Sequence, residues 1–126
     1  MNVKTDTKEK FHVITIGEPA IAANMTAELE ESLRPYLQNN VKNVILNCKD
    51  IQNIDDAAAE ALLKIQQSFY EQNASFVVCG LRPTLEESLD KMGLLELLNV
   101  TPTESEAWDI IQMEEIEREL LDNGNP

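Results

Sequence analysis

The run VILNCKDIQNIDDAAAEALLKI, residues 44–65, decides the fold of this chain. It begins with Val44–Asn47, a short β-branched run flanked by turn residues, which is typical of a strand buried on both faces. A loop over Cys48–Ile54 follows, and a helical pattern then extends from about Asp56 to Gln72. The apolar residues of this helix recur at helical spacing and are expected to face the sheet: Ala58, Leu62, Ile65 and Phe69.

Two adjacent aspartates, Asp55 and Asp56, stand where the loop becomes the helix. Aspartate is a favoured helix N-cap, because its carboxylate accepts hydrogen bonds from backbone N–H groups that have no helical partner. Negative charge there also suits the positive end of the helix dipole. A cap needs only one acid, so the second is a candidate for contact with a partner. The sequence leaves both roles open, and they are compatible.

The flanking segments continue an alternation of strands and helices. Val3–Thr7 and Phe11–Ile16 predict a β-hairpin, and Asn24–Asn40 predicts a helix that bends or is interrupted at Pro35. Later segments predict a buried strand, a helix closed by a glycine, a short last strand and a final helix: Ser75–Gly80, Arg82 to Gly93, Leu94–Val100, and about Glu104 to Leu121. We therefore expect an α/β fold in which the hairpin precedes a mostly parallel mixed sheet of about 4–5 strands with about 4 helices.

Composition limits the classes of function. The 126 residues fit one domain, and the apolar share of 43% is ordinary for a globular protein. Neither a membrane-spanning run nor an apolar signal-peptide core is found, so we expect a cytoplasmic protein without membrane insertion. With 23 acidic against 10 basic residues, the net charge is −13. Nucleic acid is therefore a poor candidate partner, and a protein with a basic face is a better one. The more frequent reason for an acidic surface is that it keeps a small protein soluble, and this interpretation stays open.

The cysteines and the single histidine predict structural roles. Cys48 and Cys79 each end an apolar run, as cysteines that act as small core residues in a reducing compartment do. His12 lies in a predicted strand, where a lone histidine is expected at the surface or rim. The cysteines are far apart and have no histidine partners nearby, so we expect no metal site and no cofactor.

Motifs of known catalytic machinery are missing. The sequence has no G-x-S-x-G, no phosphate loop and no GxGxxG. Asp55 and Asp56 are poor candidates for an acid/base pair, because adjacent residues at a helix start point in different directions. A phosphoacceptor site of the receiver type would need a further acidic pair after the first strand and a lysine at a late strand end, whereas Lys91 lies within a predicted helix. We therefore expect a protein that is not an enzyme.

The order and spacing of these elements resemble the STAS domain, the fold of bacterial anti-sigma factor antagonists. The resemblance covers about residues 1–112, which leaves 113–126 as an acidic C-terminal helical extension. It rests on three segments: IAANMTAEL at 21–29, VILNCKDIQNIDDAAAEALLKI at 44–65, and VVCGLRPTLEESLDKMGLLELLNVTPTESEAW at 77–108.

The regulatory switch of that family is an Asp-Ser-Ser/Ala-Gly motif at the start of the second helix, where a partner kinase phosphorylates the first serine. By resemblance Asp55 matches the aspartate, Asp56 matches the phosphorylatable serine, and Ala57 and Ala58 follow. Without a hydroxyl at position 56, Asp56 either holds a phosphorylated-like state or belongs to an unswitched binding module. The family's acid at the first-helix entry is replaced by Ala22, which argues against nucleotide-dependent kinase binding.

The resemblance implies a non-catalytic interaction module that binds an anti-sigma kinase-like or other regulatory protein through the start of the second helix. Arg82, at the start of a later helix, could pair with Asp55 or Asp56 or meet the partner. The alternative is a small STAS subunit that stabilises the ATPase of a lipid-transport ABC complex. The oligomeric state stays open, a homodimer included. The expected partner contacts are Asn24, Met25, Asp55, Asp56, Ala57, Ala58 and Arg82.

Overall fold

The computed structural model describes residues 1–123, which form two β-sheets and four α-helices. The strands are β1 Val3–Thr7, β2 His12–Ile16, β3 Ala20–Ile21, β4 Val44–Asn47, β5 Asn53–Ile54, β6 Phe76–Cys79 and β7 Val100–Thr101. The helices are α1 Thr26–Leu33, α2 Asp56–Glu71, α3 Pro83–Lys91 and α4 Glu104–Asn123, with 3₁₀ turns at Ala23–Met25 and Arg34–Gln38.

The larger sheet has the strand order β1-β2-β4-β6-β7. β1 and β2 form an antiparallel hairpin, and every other neighbouring pair in this sheet is parallel. Parallel neighbours need crossover connections, and these contain α1, α2 and α3 in turn. β3 and β5 form a separate two-stranded parallel sheet. The predicted α/β fold with a mostly parallel mixed sheet is confirmed.

The central strands are buried on both faces. In β4, Val44 and Leu46 belong to the hydrophobic cluster that α1, α2 and α3 cover, whereas Ile45 belongs to a second cluster that α4 covers. This division follows from the alternation of side chains along a strand. α4 contributes Ala107 and Ile111 to the second cluster, and both are fully buried. It is therefore the cover of the sheet face opposite the other three helices.

The first helical segment is interrupted where the sequence predicts. α1 ends at Leu33, and the chain continues as the 3₁₀ turn Arg34–Gln38 with Pro35 near its start. Proline cannot donate the backbone hydrogen bond that an α-helix needs at that position, which explains the change of helix type.

The predicted strand over Leu94–Val100 is wrong in extent. Strand β7 is confined to Val100–Thr101, where it pairs with the end of β6. Leu94–Leu98 instead forms a turn, in which the backbone N–H groups of Leu97 and Leu98 donate to the carbonyl of Leu94. The apolar run LLELL is thus a tight turn after α3, and its length gives no indication of how much of it pairs with the sheet.

Helix α4 starts with a side-chain cap and runs past its predicted end. The backbone N–H of Glu106 donates to Oγ1 of Thr103 over 3.2 Å. The helix continues without interruption to Asn123, so residues 113–123 of the predicted extension belong to the same helix as the end of the predicted domain. Residues 124–126 lie outside the described part of the chain.

The prediction that His12 lies at the surface or rim is wrong, because its side chain is only 5% exposed. Its Nε2 donates to the carbonyl of Val41 over 2.8 Å, and its Nδ1 lies 3.0 Å from Oγ1 of Thr7. The ring also packs against Tyr36, with ring centroids 4.5 Å apart. The segment that follows α1 therefore covers this histidine.

Asn43 joins three parts of the fold just before β4 and is 7% exposed. Its Oδ1 accepts a hydrogen bond from the N–H of Ser75, which is fully buried at the start of β6, over 2.8 Å. Its Nδ2 donates to the carbonyl of Lys10 and to Oε1 of Glu115 in α4. One amide side chain thus connects the β1–β2 hairpin, the start of β6 and α4.

We predict that Asn43→Ala lowers the free energy of unfolding by about 1–3 kcal/mol, because the buried N–H of Ser75 loses its acceptor. Urea denaturation followed by circular dichroism measures the change. Asn40→Ala is the matched control, since Asn40 is exposed. Equal unfolding midpoints for the two variants would contradict the role given to Asn43.

Cys48 and Cys79 are buried and free, as the sequence predicts for core residues. Burial raises the pKa of the Cys48 thiol to about 12 and that of Cys79 to about 11, with the nearby Glu104 carboxylate adding to the shift at Cys79.

We predict that neither thiol of the folded chain reacts with Ellman's reagent at pH 8, because the thiolate is the reacting form and both thiols stay protonated at that pH. The same assay in urea should titrate both thiols. Rapid reaction of either thiol in the folded chain would contradict the buried positions.

Candidate functional site

The start of α2 lies at the carboxyl edge of the parallel strands, where β4 ends and the loop over residues 48–54 turns back. β5 at the end of this loop pairs with β3, and the N–H of Asp55 donates to the carbonyl of Ile21 over 2.9 Å. The N–H of Gln52 donates to the carbonyl of Pro19 over 2.8 Å. These bonds hold the 3₁₀ turn Ala23–Met25 beside the first turn of α2.

Asp55 occupies the N-cap position of α2, with extended backbone angles of φ −74° and ψ 154°. Its carboxylate makes no hydrogen bond to the helix it precedes, so the predicted capping interaction is wrong. Oδ2 instead accepts from the backbone N–H of Ala23 over 2.9 Å. Asp55 therefore fastens the 3₁₀ turn to the start of α2, and its carboxylate is engaged within the chain.

Asp56 is the first residue of α2 and is exposed. Among residues 1–123, no hydrogen bond or ion pair engages its carboxylate. The positive end of the helix dipole stabilises a negative charge at this position. Ala57 beside it is also exposed, so the two residues present one charge next to a small apolar side chain.

Ala58 does not reach that surface. It is fully buried together with Ala59, and both belong to the cluster beneath α1, α2 and α3. Their small side chains allow the first turn of α2 to pack closely against its neighbours. Ala58 was expected among the partner contacts, and the structure places it in the core instead.

The 3₁₀ turn contributes two exposed residues, Ala23 and Asn24, and the half-buried Met25 to the same edge. Met25 is half-buried and packs against the main core, and its Sδ lies 3.3 Å from the backbone nitrogen of Ala22. Asn24 is thus available for contact, while Met25 mainly anchors the turn.

Arg82 lies at the N-cap position of α3 and is exposed. In the described part of the chain it makes no ion pair with Asp55 or Asp56, which was one of the roles that the sequence left open for it. Its Nε donates to the carbonyl of Lys49 over 2.7 Å. Arg82 therefore fastens the loop after β4 to the start of α3, with part of its guanidinium left at the surface.

Sequence reasoning did not identify the backbone groups that form hydrogen bonds with Asp55 and Arg82. They are the N–H of Ala23 and the carbonyl of Lys49. The side chains of Ala23 and Lys49 carry no signal, because the bonds are made by a main-chain N–H and a main-chain carbonyl. Within residues 1–123, no group of three or more acidic, histidine or cysteine side chains could hold a metal ion. The exposed side chains of the site are those of Asn24, Asp56, Ala57 and Arg82, around a helix start that is hydrogen-bonded to the neighbouring turn.

We predict that Asp55→Ala speeds solvent exchange of the Ala23 amide by about tenfold, because that N–H loses a charge-assisted acceptor. Exchange NMR at residue resolution measures this change. Asp56→Ala is the matched control and should leave the Ala23 amide unchanged. Equal acceleration by both variants would show that the bond seen here does not protect this turn.

No helix in the described residues is long and apolar enough to cross a membrane.

Comparison with known proteins assigns the chain to a family. An anti-sigma-B factor antagonist of Staphylococcus aureus is 20% identical over 100 residues, covering 79% of this chain and 92% of the relative. The family model described as the STAS domain matches residues 2–107.

Solved structures agree in fold. An anti-sigma factor antagonist from Mycobacterium paratuberculosis superposes with a TM-score of 0.75 at 12% identity, over 88% of this chain and 93% of that one. A serine-to-glutamate variant of RsbS from Moorella thermoacetica gives 0.73 at 17% identity, over 94% and 99% of the two chains. Because the family model spans most of the chain and these folds coincide, the chain belongs to the STAS domain family.

Proposed function

We propose that this chain is a non-catalytic protein-interaction module of bacterial signalling, similar in role to anti-sigma factor antagonists and acting in the cytoplasm. It binds a regulatory protein through the surface formed by Asn24, Asp56, Ala57 and Arg82. The observation that carries the proposal is Asp56, an exposed acid at the start of a helix that the fold holds in place. The STAS domain occupies residues 1–112, and the rest of α4 extends it.

The hydrogen bonds that hold this surface within the chain support a docking role. Asp55 holds the 3₁₀ turn, Arg82 holds the loop after β4, and the pairing of β3 with β5 lies between them. A surface that is already ordered loses little conformational entropy when a partner binds. The two bonded side chains thus prepare a site at which Asp56 and Ala57 make the contact.

The charge of the chain indicates the kind of partner. A net charge of −13 and the exposed acid Asp56 favour a protein with a basic docking face. Asp56 stands, by the family resemblance, where the regulated serine would be. Its single negative charge is smaller than the roughly −1.5 to −2 of a phosphoserine, and it is permanent. We propose that position 56 is a constant contact to the partner and not a phosphorylation switch.

The test of binding is affinity capture with the wild-type chain from its native bacterium, followed by measurement of affinity for the captured protein. We predict that Asp56→Arg weakens binding at least about tenfold, because it places like charge against a basic face. Glu9→Arg is the matched control, since Glu9 is an exposed acid in the turn at the opposite edge of the sheet. Full binding by Asp56→Arg would overturn the proposed surface.

The identity of the captured protein tests the class of function. An anti-sigma kinase or a related regulatory protein supports the proposal. Capture of an ABC ATPase would overturn the signalling role and support the transporter-subunit alternative.

Substitution with serine and alanine tests the role of position 56. We predict that Asp56→Ala weakens partner binding, since a favourable charge contact is lost. Tighter binding by Asp56→Ala would instead identify the acid as phosphorylated-like. If the partner is a kinase, Asp56→Ser incubated with it and ATP shows by mass spectrometry whether a serine there is accepted. If Asp56→Ala and Asp56→Ser both leave the affinity for the partner unchanged, Asp56 only stabilises the start of α2.

A further inference from the structure

The second half of α4 carries an apolar stripe that nothing in the described chain covers. Met113, Ile116 and Leu120 are 61%, 56% and 66% exposed. They are spaced at i, i+3 and i+7, which places them in one row along a helix. Large aliphatic side chains at such exposures, aligned in a row, are a common mark of a docking surface.

The opposite side of the same helix half holds it to the body through polar groups. Glu114 accepts a hydrogen bond from the hydroxyl of Tyr70 over 2.8 Å, and Glu115 accepts one from Nδ2 of Asn43 over 2.7 Å. One turn further, Arg118 donates to Oγ of Ser75 over 2.7 Å. Burial and the Glu114 carboxylate raise the pKa of Tyr70, so its hydroxyl stays protonated and donates.

These polar contacts fix the rotation of the helix. At about 100° per residue, Ile116 and Leu120 point roughly opposite to Glu114 and Arg118. Turning α4 to bury the stripe would break all three polar contacts at once. The stripe is therefore held outward by the fold itself.

The charges around the stripe select its occupant. Asp109, Glu117 and Glu119 are exposed along its end and its two sides, and the one cation in this helix, Arg118, is engaged on the inner side. A second copy of the chain would bring acids against acids. Three side chains also offer an apolar area of a few hundred Å² at most, below the roughly 800 Å² per partner of a stable interface. A short, positively charged segment would complement the flanking acids and would need only a small apolar contact area.

We propose that the stripe Met113–Ile116–Leu120 is a docking surface for a cationic amphipathic helix of a partner protein, whose apolar face covers the stripe and whose Lys or Arg residues meet the flanking acids. This surface lies on the helix that covers the sheet face opposite α1, α2 and α3. It is separate from the edge at which Asp56 lies, so one chain can hold two protein segments at once.

A fluorescein-labelled synthetic peptide tests the proposal, with leucines and lysines arranged to form an amphipathic helix. Fluorescence anisotropy with the full-length chain measures its affinity. Ile116→Gln/Leu120→Gln should weaken binding by about tenfold or more, because two apolar contacts are lost. Leu97→Gln is the matched control, since Leu97 is an exposed leucine outside α4 at 54% exposure and should leave the affinity unchanged.

Peptide controls separate this site from general attraction to an acidic protein. A scrambled peptide of the same composition and an analogue with glutamate in place of lysine should each bind at least about tenfold more weakly. Equal binding of the ordered and scrambled peptides, or no effect of the double variant, overturns the proposal. So does a wild-type dimer in sedimentation that the double variant dissociates, because the occupant is then a second copy. Circular dichroism verifies that the variants remain folded.

Discussion

Strand β4 has to be covered on both faces, because its apolar side chains alternate and none of Val44, Ile45 and Leu46 is more than 1% exposed. Its parallel pairing with β2 and β6 places all three carboxyl ends at one edge, so the loop after β4 must turn back there. The start of α2 is brought to that edge as a direct result. The same constraint requires a helix on the remaining face, and α4 is that helix.

Local patterns predict most of this fold, because the spacing of apolar residues within a strand or helix indicates which of its faces is buried. The interactions that sequence reasoning missed join residues far apart in the chain. His12 bonds Val41, Asp55 bonds Ala23 and Arg82 bonds Lys49, at separations of 29, 32 and 33 residues. Each ends on a backbone group, for which side-chain identity gives no signal. The short extent of β7 has a similar cause, since pairing with β6 and not the apolar run decides where the strand lies.

The two adjacent aspartates show how the fold divides similar residues between roles. Asp55 has extended backbone angles that carry its side chain away from α2 and towards Ala23. Asp56 already has helical geometry, which turns its side chain outward from the first turn. Asp55 connects the start of α2 to the 3₁₀ turn, whereas Asp56 is exposed on the surface that this connection orders. Under the proposed function, removal of the first acid would disturb the shape of the surface, whereas removal of the second would change only its charge.

The outward position of the α4 stripe depends on one polar residue just before β4, Asn43. Asn43 accepts from Ser75 at the start of β6 and donates to Glu115 of α4, so the contact that orders the central strands also sets the rotation of the last helix. Ser75 in turn accepts from Arg118 on the same inner side. The polar side of α4 is therefore required by the sheet, and Ile116 and Leu120 have no position inside the chain that would leave these bonds intact. Their exposure follows from how the core is closed, and a partner that covers them adds burial without any change in the fold.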